Sequence, residues 1–177
     1  MRGNYLFCTK GHLAEFLGQR QLEIKEEIYR FGEDYILNVS EEDLVKALTE
    51  KYRLESPILK LDKKYQLDPR ETDVDVSQDP HRAIFDRSKP VYIKGTLITV
   101  IIPFEGDEEL FYYTPSSFFS VFPQGIISGN ELRLEYITTE HNSETLKRNV
   151  EQDIQLIKSY SDYVKGNVDS FKNSLEN

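Results

Sequence analysis

The sequence predicts an α+β fold: a mainly antiparallel sheet of about five strands, two N-terminal helices packed on it, and a long C-terminal helix. Three observations lead there. Between Leu97 and Ile102 both alternating sets of side chains are largely apolar. Leu97 and Ile101 share one face, and Ile98, Val100 and Ile102 the other, which marks a strand covered on both sides and hence a sheet centre. Leu13, Leu17, Ile24 and Ile28 are spaced to share one helix face. From Ser143 onward Leu146, Val150, Ile154, Ile157, Val164, Val168, Phe171 and Leu175 recur at spacings of three, four or seven among charges of both signs.

The first helix runs from about Leu13 to Tyr29, with Phe16 at its edge and Gly18 interrupting it at a cost of roughly 1 kcal/mol relative to Ala. Ser40 is a natural N-cap for a second helix. Glu41, Glu42 and Asp43 suit the positive end of its dipole, Leu44, Val45 and Leu48 form its apolar stripe, and it should end near Tyr52, before Pro57. Ile58, Leu59 and Leu61 suggest a strand, and Thr72 to Val76 alternates as an edge strand does. With Asp68-Pro69 between them, the two read as a hairpin. Ser77 to Pro90 is polar and without period, which is the pattern of a surface loop.

After the central strand, Glu105, Gly106 and Asp107 are the residue types that reverse a chain, and Leu110 to Tyr113 resumes an extended aromatic pattern. Pro115 to Gly129 reads as an irregular but apolar connection. Ser128-Gly129-Asn130 is a turn, and Leu132, Leu134 and Tyr136 opposite Glu131, Arg133 and Glu135 give a half-buried strand. The expected organisation is an α+β domain over residues 1–140, then a long amphipathic helix over residues 141–177 leading to a missing downstream region. A helix of about 30 residues reaches about 45 Å, longer than a compact domain of this size needs, so it should project or bind a partner. Its apolar pattern still runs at Leu175 with no Gly or Pro to end it, and the expectation is that this is the front part of a longer protein.

With 177 residues, 38% of them hydrophobic and 30% charged, the chain can bury a proper core without disulfide or metal. A net charge of −9 opposes direct binding to nucleic acid, which relies on Lys and Arg displacing counterions. Cys8 is the only cysteine, which excludes an internal disulfide and suits a reducing, cytoplasmic compartment. The N-terminal apolar run from Leu6 to Cys8 is too short for a signal-peptide core or a membrane span.

Chemical motifs are sparse. His12, His81 and His141 are scattered without CxxC or HExxH, and the chain lacks Gly-x-Ser-x-Gly, GxxxxGK[ST] and GxGxxG. Asp73 and Asp75, two apart on a predicted strand, point the same way and could hold Mg²⁺, but the wet face of an edge strand accounts for them. Glu105 and Asp107, with Glu108 and Glu109, could gather a cation, yet acids are also what an exposed turn contains. Glu23-Ile24-Lys25 imitates the Glu-x-Lys pair of metal-dependent nucleases but lies on a helix rather than a strand beside an Asp. No cofactor is expected. The aromatic run Phe111-Tyr112-Tyr113, Phe118-Phe119 and Phe122 has no Lys or Arg from Thr96 to Glu131, so it is not a base-stacking platform. Most of its rings belong in the core and the remainder form an apolar patch for a protein partner.

Ile102-Pro103-Phe104-Glu105-Gly106-Asp107, followed by Leu110-Phe111, Tyr113 and Pro115-Ser116, resembles a signature in the N-terminal region of uncharacterised bacterial proteins. In many of these, a long helix similar to Asn149 to Leu175 leads to a restriction-endonuclease-like domain. The resemblance covers about Leu22 to Leu175 and brings no catalytic residues, because the nuclease motif belongs to the later domain. It implies an accessory, sensing or assembly module of a larger, DNA-processing bacterial protein that serves defence against foreign DNA.

The function expected is therefore non-catalytic: an interaction or regulatory module in which Val164, Val168, Phe171 and Leu175 offer a seam to a second copy or to the downstream part of the same chain. Two alternatives stand beside it. One is a metal-dependent hydrolase using Asp73, Asp75 or the Glu105 turn, and the other is a ligand-sensing domain with a pocket lined by Tyr92, Tyr112 or Tyr136.

Overall fold

In a computed structural model that describes residues 3–139 and 143–175, the elements run β1 (Asn4–Tyr5), α1 (Leu13–Arg30), α2 (Glu33–Asn38), α3 (Glu41–Lys51), β2 (Ile58–Leu59), β3 (Tyr65–Gln66), β4 (Arg70–Asp75), β5 (Tyr92–Glu105), β6 (Gln124–Ser128), β7 (Glu131–Thr138) and α4 (Ser143–Leu175). Short 3-10 turns occupy Leu61–Lys63 and Glu108–Tyr112. This is the α+β class, with an antiparallel sheet, that the sequence predicts. The chain divides into two compact units.

The first unit comprises Met1–Asn4, Lys60–Phe104 and Gln124–Gln155. Its centre is β5. On one side β5 pairs antiparallel with β7, from Thr96 opposite Thr138 to Pro103 opposite Glu131, and β7 pairs with β6 across the turn at Gly129. On the other side lie β4, with Arg70 opposite Leu97 and Asp75 opposite Tyr92, and β3, with Tyr65 opposite Ile101 and Gln66 opposite Val100. Val100, Ile101 and Ile102 are all buried although they alternate between faces, so the middle of β5 is covered on both sides as expected.

Strand pairing departs from the sequence reading at β4. Its partner is β5 and not β2, so the expected hairpin between the two does not form. The reason lies in the long loop that follows. The Asp75 carboxylate accepts from the amides of Ser77 (2.9 Å) and Val91 (3.1 Å), closing β4 onto the start of β5. Inside the loop the Arg87 guanidinium donates to the carbonyls of Ser77, Asp79 and Arg82, giving a periodless segment a fixed path. β6, within the stretch read as irregular, is a strand; two apolar residues, Ile126 and Ile127, give too little pattern to reveal it.

The second unit comprises Tyr5–Leu59, Glu105–Pro123 and Leu156–Asn177. α1 buries Leu13, Leu17 and Ile24, and α3 starts as its sequence dictates, with the Ser40 hydroxyl accepting from the Asp43 amide at 3.5 Å. α1 and α3 are tied through Glu27, whose carboxylate accepts from Lys51 Nζ and the Tyr52 hydroxyl, each at 2.6 Å.

Leu110 to Tyr113 is not the strand its alternation suggests. Leu110 to Tyr112 lie in the 3-10 turn Glu108–Tyr112, which Tyr113 caps, and two of their carbonyls are used by the N-terminal segment: the Phe7 amide donates to Phe111 O, and those of Thr9 and Lys10 to Tyr112 O. Phe7, at φ +60° and wholly buried, stacks on Tyr160 with ring centres 4.9 Å apart and tilts against Phe111 at 5.5 Å. The tight packing of a large ring holds the backbone in the left-handed region.

α4 spans 33 residues, about 50 Å at 1.5 Å per residue. Ile157, Ser161, Val164, Val168 and Phe171 along it are buried at alternating four- and three-residue steps, with Tyr160 buried beside them, so this stretch is packed and not projecting. Among the described residues, no helix is long and apolar enough to cross a membrane.

Candidate functional site

The seam expected on α4 is used inside the fold. Val164 and Val168 are 0% exposed and Phe171 is 3% exposed, while Leu175 is half-buried. α4 meets α1 there, with Gln21 Nε2 donating to Ser174 Oγ at 2.7 Å and Ala14, Leu17 and Gly18 facing Ser170 and Phe171 across a small cleft. Heptad-like spacing revealed a buried face but not what covers it: Val164, Val168 and Phe171 are covered by the described part of this chain.

The carboxylate candidates have individual structural roles. Asp73 pairs with Lys94 at 2.8 Å on the exposed face of β4. Asp75 closes the loop described above, and the amides of Ser77 and Val91 hold its pKa below the ordinary value. Asp107 accepts from the Glu55 amide at 2.8 Å, and its own amide donates to Glu55 O at 2.8 Å. Glu105 is exposed at the end of β5. Among the described residues, no three His, Cys, Asp or Glu side chains are close enough together to hold a metal ion. Glu23 and Lys25 lie on α1, a helix as expected.

The aromatic segment after Pro115 is arranged around Tyr160. This side chain is wholly buried, and its hydroxyl lies 3.0 Å from Phe119 O and 3.1 Å from Val121 O while accepting from the Phe119 amide at 3.2 Å. At the near end of the loop the Ser116 amide donates to Asn167 Oδ1 at 2.9 Å, and at the far end the Leu6 amide donates to Pro123 O at 2.8 Å. Phe122 folds inward against Tyr160, whereas Phe118, Phe119 and Val121 are 53%, 43% and 63% exposed. The amides of Ser116 and Phe119 and the carbonyls of Phe119, Val121 and Pro123 are thus engaged internally while Phe118, Phe119 and Val121 are turned to solvent, an arrangement that lowers the ordering cost of binding.

A second feature lies in the first unit. An open groove of about 520 Å³ runs between the sheet and the start of α4, with Ile98 and Val100 of β5 and Leu146 and Val150 of α4 among its apolar walls and Lys64 and Lys147 among its polar ones. Beyond it α4 is fastened to the sheet: the Tyr136 hydroxyl donates to Asp153 Oδ2 at 2.9 Å. Burial raises both groups' pKa values, and for Tyr136 the charge on Asp153 adds to the effect.

Tyr92, Tyr112 and Tyr136, the alternative candidates for a ligand pocket, do not line this groove. Tyr92 is exposed, Tyr112 lies in the other unit, and Tyr136 is buried and committed to Asp153. Cys8 is half-buried, and desolvation pushes its thiol up, away from the reactive thiolate. No family model matches the chain, and neither a curated protein nor a solved structure is similar to it.

Proposed function

We propose that this chain is a non-catalytic protein-interaction module whose Ser116–Pro123 loop docks onto a second copy of the same chain. The observation that carries the reading is the fixing of this loop by Tyr160, with Phe118, Phe119 and Val121 left exposed. Exposed apolar side chains on a pre-organised backbone are what a protein interface requires at its centre. Charge selects the partner's approach. The chain carries a net −9, but no charged residue lies between Leu110 and Asn130, so two identical acidic molecules meet here with least repulsion.

The resemblance to the N-terminal region of nuclease-associated bacterial proteins supports the same reading. Pairing of N-terminal modules would bring two downstream nuclease-like domains together, as defence against foreign DNA by double-strand cleavage requires. The module itself has no role in binding nucleic acid and works in the cytoplasm, in keeping with its negative charge and lone cysteine.

Sedimentation equilibrium of the chain and of the Phe118→Ser/Val121→Ser variant tests this. The wild type should show concentration-dependent dimer and the variant a monomer of unchanged melting temperature. A wild type that stays monomeric at all concentrations, or a variant that dimerises equally well, would overturn the proposal.

A further inference from the structure

We propose that the groove between β5 and the start of α4 binds a linear alkyl carboxylate, a monoanion with an apolar tail. The argument begins with the apolar stripe of α4. Ile154, further along that stripe, is buried, but Leu146 and Val150 are only half-buried. The tie between Tyr136 and Asp153 holds the helix to the sheet one turn beyond Val150, and before that point a space of about 520 Å³ opens. Ile98 and Val100 line it from β5, two apart and therefore on one face of the strand. Apolar walls on two elements thus face a groove within the size range of small-molecule sites.

The polar end of the ligand follows from charge. Lys64, just before β3, and Lys147 of α4 both line the groove, and neither is in an ion pair among the described residues. Two ammonium groups beside an apolar channel fit an anionic head on an alkyl tail, since the head gains charge-assisted hydrogen bonds and the tail covers Leu146 and Val150. Glu151, also on the groove, disfavours a second negative charge and restricts the head to a monoanion.

Calorimetric titration of the whole chain with octanoate, 1-octanol and acetate separates the contributions. Octanoate should bind saturably at one site, octanol about tenfold more weakly for want of the charged head, and acetate not measurably for want of the tail. Lys64→Gln/Lys147→Gln alters exposed side chains alone and should weaken octanoate about tenfold without changing octanol. Leu146→Glu, with a melting curve to establish that it is folded, should abolish both. Absence of octanoate binding, equal affinity for octanol, or wild-type octanoate affinity in the lysine variant would each overturn the proposal.

Discussion

The Tyr136 hydroxyl donates to the Asp153 carboxylate at 2.9 Å, joining the last strand of the sheet to the long helix. Desolvation raises the Asp153 pKa above its ordinary 3.8, outweighing the stabilising hydrogen bond from Tyr136. The folded chain therefore keeps this proton to higher pH than the unfolded chain does. The contribution to stability is largest below 3.8 and is lost as pH rises through the folded value. Asp153→Asn retains an acceptor for Tyr136 and removes the charge. It should raise the midpoint of urea unfolding at pH 7 and abolish the increment that wild type gains on acidification toward 4. An unaltered pH profile would show that Asp153 is not desolvated.

Gly106 sets the turn in which Asp107 engages Glu55. Its φ is +102°, and a Cβ there would collide with the Ser56 carbonyl oxygen. Gly106→Ala should cost roughly 1–3 kcal/mol from the backbone alone, and more from the collision, measured by denaturant unfolding. Asp107→Ala should cost about 1 kcal/mol through the unpaired Glu55 amide. Substitution without effect at both positions would mean that the turn is not fixed as described.

Val168→Asp/Phe171→Asp distinguishes an internal seam from an external one. Both side chains are buried against the chain's own elements, so each substitution places an unpaired charge in a packed core at a cost of about 3 kcal/mol or more. The expected result is a variant that unfolds far earlier in urea than wild type. A variant of wild-type stability would return these residues to the surface.

Legibility in the sequence followed the reach of the physical signal. α1, α3, α4 and the centre of β5 were readable because each carries a period over several turns or a run of two-faced apolar residues. β3 and β6 were not, since two and five residues give no period to recognise. The pairing of β4 with β5 depends on Asp75 and Arg87 organising the intervening loop, a non-local effect that propensity does not contain. The same limit applied to function. Periodicity identified Val164, Val168 and Phe171 as a buried face without saying what buries them. Which aromatic residues stay outside was decided by the Tyr160 hydroxyl, far along the chain from Phe119.

That hydroxyl also supplies the most direct test of the docking loop. Tyr160→Phe keeps the buried ring and its stacking on Phe7 but removes the oxygen that lies against the Phe119 and Val121 carbonyls and accepts from the Phe119 amide. The dimerisation constant from sedimentation equilibrium should weaken about tenfold, because the loop must then be ordered on binding, while the monomer loses only about 1 kcal/mol of stability. A dimerisation constant equal to that of the wild type would contradict the claim that this loop is held in place to bind.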